Sequence, residues 1–143
     1  MIFVSFQPLS KTKDLTMTAE VGLIPSVLGQ GEYHMDQYGH ILAQALKDTA
    51  SNNVWLPSLL ASSYWRIRGR PEEAIKCLRP AIHFAPEDFK HFGLLAVANI
   101  FHRSHRSVDA VQVLKEAIKV APQTPVLYLT LGNIYATLMR FEE

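Results

Sequence analysis

A thirteen-residue block occurs twice in this chain, and that repetition restricts the possible folds more than any other feature. Residues 74–86 read AIKCLRPAIHFAP, and residues 110–122 read AVQVLKEAIKVAP, at an offset of 36. Six of the thirteen pairs are identical: both outer alanines, the central leucine, one isoleucine and the closing Ala-Pro. Ala74, Leu78 and Ala81 lie at i, i+4 and i+7, on one face of a helix, and Ala110, Leu114 and Ala117 repeat the arrangement. A large residue between two small ones lets a second helix approach closely at two points and receive the leucine between them. Pro86 and Pro122 end the two helices, since proline donates no amide and restricts the residue before it. Pro71 followed by Glu72 and Glu73, and Ser107 followed by Asp109, mark the helix starts, with Ser107 read as an N-cap.

A second block recurs between these helices. Val97-Ala98-Asn99-Ile100-Phe101 matches Leu131-Gly132-Asn133-Ile134-Tyr135 at an offset of 34, and Leu60-Ala61-Ser62-Ser63-Tyr64 is a looser copy. Each places a large apolar residue and an aromatic at i and i+4, on one face. The order is therefore helix, tight turn, helix, proline loop, and again. This predicts helices near 35–50, 55–67, 71–84, 90–103, 107–120 and 125–138, with no strand required.

Leu131-Gly132-x-x-Tyr135 and Ala110-x3-Leu114-x2-Ala117-x4-Pro122 resemble the tetratricopeptide repeat family, whose period is about 34 residues. The resemblance implies an all-α fold, an α-α superhelix of antiparallel helix hairpins. It spans residues 54–143 as two full repeats and a truncated third. Residues 33–53 then form a preceding or capping helix, and residues 1–32, broken by Pro8, Gly22, Pro25, Gly29 and Gly31, an irregular or flexible leader. Gly69 stands at the family's turn glycine and His105 replaces it in repeat two. Repeat one carries an extra residue between Tyr64 and Ala74.

Function classes are narrowed by composition. The net charge of +1 gives no electrostatic footprint for nucleic acid or an anionic membrane. No apolar run reaches the ~18 residues of a membrane span. The single cysteine, Cys77, excludes an internal disulfide and reads as a packed thiol. Gly29-Gln30-Gly31 lacks the rest of any phosphate loop. His102 and His105 flank a turn with no second pair nearby, so no metal site is read. Glu72 and Glu73 diverge by about 100° around a helix and are first-turn charges. Trp55, Tyr64 and Trp65 read as packing. No catalytic residue and no cofactor are assigned.

What remains is a surface. In the resembled family the first helix of each hairpin lines a peptide groove. The resemblance carries that role to Ser62, Trp65 and Arg66 in repeat one, to Leu95, Asn99, His102 and Arg103 in repeat two, and to Leu129, Asn133 and Thr137 in repeat three. Both asparagines could hydrogen-bond a bound peptide backbone. The positions that clamp a C-terminal carboxylate in the chaperone-binding branch hold Ser58, Ala96, Val126 and Thr130 here, none basic. The resemblance implies a non-catalytic protein-binding scaffold. The run from Trp55 to Ala85 resembles one member in particular, which implies a cytoplasmic, cytoskeleton-associated role in actin organisation and cilium assembly. The alternative is the substrate-holding arm of a larger enzyme. Repeat three stops before its second helix, so the chain is expected to be a fragment that self-associates through its open last helix.

Pro80 occupies the interior of a helix where the copy has Glu116. Interior proline costs about 3 kcal/mol and kinks a helix. Pro80→Arg is expected to raise the melting temperature followed by circular dichroism, and an unchanged melt would contradict this.

Overall fold

The computed structural model describes residues 12, 15–20, 35–48 and 53–141. The rest of the leader, including Gly29 to Gly31, lies outside the described residues, as do residues 49–52 and the last two. Six α-helices follow one another among the described residues: α1 (Met35–Asp48), α2 (Trp55–Ile67), α3 (Pro71–Phe84), α4 (Lys90–Arg103), α5 (Ser107–Val120) and α6 (Pro125–Phe141). A short 3₁₀ turn, Glu87–Phe89, precedes α4, and α6 runs three residues past the predicted end. α3 remains one helix through Pro80, with Pro71 in its first turn.

The chain divides into two compact units, Met1–Ala85 and Pro86–Glu143. In the first, α1 and α3 both pack on α2. In the second, α4 and α6 both pack on α5. Each unit is built round the repeated block. Ala74 and Leu78 are fully buried and Ala81 nearly so at 2%, while Ala110, Leu114 and Ala117 are all fully buried. The small residues bring the paired helix close and the leucine fills the space between them.

The two hairpin turns are built alike. In the first, Gly69 N–H donates to the Arg66 carbonyl at 3.1 Å and Arg70 N–H to the Trp65 carbonyl at 2.9 Å. In the second, His105 N–H donates to the His102 carbonyl at 3.2 Å and Arg106 N–H to the Phe101 carbonyl at 2.8 Å. Both are Schellman caps, which satisfy the orphan carbonyls of a helix end and require a left-handed residue at the turn. Gly69 has φ 69° and His105 φ 62°. A connection this short makes the joined helices antiparallel neighbours.

Matching turns correct the repeat alignment. Trp65, not Tyr64, is the counterpart of Phe101, so the same offset of 36 holds through both helices of the hairpin and repeat one has no extra residue. Ser62 then pairs with Ala98, and both are fully buried. Ser107 is also displaced from its predicted role. It is the first residue of α5, and Arg106 takes the N-cap position without a side-chain cap.

α1 meets α2 through a missing side chain. A Cβ on Gly39 would lie 2.9 Å from the Tyr64 hydroxyl, so glycine gives the phenol room to lie against α1 as it does. The Arg68 guanidinium sits over the Tyr64 ring, 5.2 Å from its centre, and pairs with Asp36 of α1.

A left-handed backbone costs a side-chain-bearing residue about 1–2 kcal/mol, partly offset by the flexibility glycine brings to the unfolded chain. His105→Gly is therefore expected to stabilise the protein by about 1 kcal/mol in urea melts. Destabilisation would show that the imidazole contributes more than its backbone costs.

Candidate functional site

α4 is sealed on most of its surface. Gly93, Leu94, Ala96, Val97, Ala98, Ile100 and Phe101 are buried, as is His91. Apart from the first residue, Lys90, which is half-open and pairs with Glu87 at 3.7 Å, the residues left open or half-open are Phe92, Leu95, Asn99, His102 and Arg103. Their spacing of three and four traces one stripe along the helix. Four of them are those the sequence pointed to. Phe92 was missed, although it precedes Leu95 by three residues. It is 46% exposed and stacks on Phe89, with ring centres 6.2 Å apart. An aromatic, an aliphatic, an amide and a guanidinium in a row offer a peptide apolar contact, a backbone hydrogen bond and a charge.

On α6, Leu129, Asn133 and Thr137 follow at intervals of four. Leu129 is 66% exposed, Asn133 is exposed, and the Thr137 hydroxyl donates to the Asn133 carbonyl at 3.0 Å. α6 packs with Leu127 and Ile134, both essentially fully buried. Its other face is bare. Leu94, Val97, Ala98 and Phe101 of α4 are sealed, while their counterparts Tyr128, Leu131, Gly132 and Tyr135 are exposed or half-exposed. Among the described residues, nothing beyond the helix's own nearby backbone lies within 4 Å of where a Cβ on Gly132 would be.

Repeat one departs from the expected picture. Trp65 stands at the position of Phe101 but is half-exposed where Phe101 is sealed, and its ring meets Tyr64 edge-on with centres 5.1 Å apart. Ser62 is fully buried, its hydroxyl donating to the Leu59 carbonyl at 2.6 Å. Arg66 is buried and engaged. Its Nε donates to one Glu20 carboxylate oxygen at 2.6 Å and its terminal nitrogen to the other at 3.0 Å. Glu20, 46 residues away, belongs to the leader and was not foreseen.

The ionisable groups have structural surroundings. Burial pushes the Cys77 thiol up, Glu73 adds to the rise, and Trp65 opposes it. A raised thiol is a poor nucleophile at neutral pH. His102 Nδ1 and the Ser107 hydroxyl share a hydrogen bond of 2.9 Å that ties α4 to α5. Burial lowers the His102 imidazole, and Arg103 and His105 lower it further. Among the described residues, no group of three or more His, Cys, Asp or Glu could hold a metal ion. No helix among them is long and apolar enough to cross a membrane.

Known proteins of similar sequence share one name. Tetratricopeptide repeat protein 17 of Homo sapiens and of Rattus norvegicus are each 37% identical to this chain over 119 residues, which is 81% of the chain. Tetratricopeptide repeat protein 17 of Danio rerio is 40% identical over 111 residues, or 78% of the chain. The chain spans about a tenth of the length of these relatives, 10% for the mammalian proteins and 9% for the fish protein. No protein-family model matches the chain, and no solved structure does.

A histidine lowered by folding binds its proton less readily in the folded state than in the unfolded chain. Its contribution is fully present above the unfolded value, near pH 6.5, and is lost as pH falls through the folded value. Part of the stability should therefore disappear as pH falls from about 7 to 5, and His102→Gln should lessen that loss in thermal melts. Equal acid sensitivity in the two chains would contradict the assignment.

Proposed function

This chain is a helical repeat of the tetratricopeptide type, similar over most of its length to tetratricopeptide repeat protein 17, and we propose that it is a non-catalytic scaffold segment that binds an extended peptide or partner helix along the open stripe of α4. The observation that carries the reading is the stripe itself. Phe92, Leu95, Asn99, His102 and Arg103 stay accessible on a helix whose other positions after its first residue, Lys90, are buried. A helix that served packing alone would turn a polar face to water; this one turns an aromatic and a leucine beside its amide and guanidinium.

The similarity to tetratricopeptide repeat protein 17 supports a protein partner. A cytoplasmic, cytoskeleton-associated place in actin filament organisation and cilium assembly belongs to the same proposal, on the resemblance alone. The bare face of α6 supports a second contact. Tyr128, Leu131, Tyr135 and Met139 form an apolar surface on which the isolated chain self-associates.

Affinity capture of the natural partner tests the α4 stripe. Asn99→Ala and Arg103→Ala should each weaken binding by about tenfold, the scale of one important interface side chain, with the circular dichroism spectrum unchanged. Undiminished binding by both folded variants would place the partner on another surface.

A further inference from the structure

The C-terminal end of α2 already carries a docked peptide, and the peptide is the chain's own. Residues 15–20 have no regular secondary structure. Glu20 N–H donates to the Arg66 carbonyl at 3.1 Å. The Glu20 carboxylate takes both arms of the Arg66 guanidinium, at 2.6 and 3.0 Å, and the paired side chains are only 11% and 9% exposed. Ala19 lies against Gly69, where a Cβ would sit in contact distance, 3.4 Å from both the amide nitrogen and the Cβ of Ala19. Leu15 is buried, at 8%. A main-chain hydrogen bond, a carboxylate fork and a small residue lying against glycine are elements by which a surface recognises an extended peptide.

The hairpin turn does not require them. The α4–α5 turn closes with the same Schellman hydrogen bonds and has His102, joined to Ser107, in the place of Arg66. The arginine is therefore an addition to the repeat. It also fixes what can fill the seat. A guanidinium this buried is costly to leave unpaired, so whatever covers it must bring a carboxylate.

We propose that the Arg66–Gly69 end of α2 is a peptide-binding seat, held in cis by residues 15–20 and exchangeable for an extended acidic segment of a partner protein. That segment carries a small residue directly before a glutamate. The proposal deepens the peptide-binding reading above, but its seat is separate from the α4 stripe. A test with the chain's own peptide can fail without touching that reading.

The probe is an acetylated, amidated peptide of residues 13–22, titrated into the full chain and into its Glu20→Gln variant. A tethered segment competes at an effective concentration of about a millimolar, so the variant should bind the peptide at least about tenfold more tightly than the unaltered chain. A peptide with glutamine in place of its glutamate should lose about tenfold in affinity. Equal affinity for the two chains, or indifference to the glutamate, would overturn the proposal. The unaltered chain provides a readout that does not depend on the variant's folding. Its Glu20 amide resonance should move to its unstructured position as peptide is added to about the millimolar range. A Glu20 amide that stays in place at saturating peptide would identify the segment as a fixed strap and end the proposal.

Discussion

The close approach of two helices at a leucine set between alanines governs this protein. Leu78 and Leu114 are fully buried, and the alanines one turn before and one turn after each are buried with them. Larger residues at the alanine positions would push the paired helix outward and open space round the leucine, so size is specified as tightly as hydrophobicity. Once that spacing is set, the connection between the helices must be short. The Schellman cap supplies it, at the cost of a left-handed residue at 69 and 105. Second-helix packing thus dictates turn geometry, and turn geometry dictates which side of the first helix remains open.

Much of this was legible because the repeat is written in side-chain size. The block containing Leu78 and Leu114 fixes the second helices, and the prolines at 71, 86, 122 and 125 fix several of the boundaries. The register of α2 was not legible. Tyr64 and Trp65 are adjacent aromatics, and either satisfies the pattern of a large residue and an aromatic on one face. Only the carbonyls bonded in the turn show that Trp65 is the counterpart of Phe101. His105 looked like a departure from the turn glycine, yet it adopts the same left-handed conformation. Histidine is among the side chains that tolerate this region better than most.

The candidate surface divides along similar lines. Leu95, Asn99, His102 and Arg103 were named through the family resemblance, which carries the groove positions over one by one, and all four lie open or half-open on α4. Phe92 escaped because an aromatic in a helix reads as core until its burial is known. Arg66 was placed on the open surface, and its partner was missed altogether. No local period relates Glu20 to Arg66, and a fork spanning 46 residues comes only from the fold. The two hairpins share one construction and differ in what they expose. The first has its arginine covered by the chain itself, and the second presents an uncovered stripe.

Amide hydrogen exchange resolved along the whole chain tests the central claim most directly, because the slowest amides report the elements that open only with their unit. The account predicts that the slowest amides cluster about Leu78 in α3 and Leu114 in α5, with α6, bare on one face, exchanging faster than α5. Slowest exchange in α1 or α6, or protection spread evenly along all six helices, would contradict it.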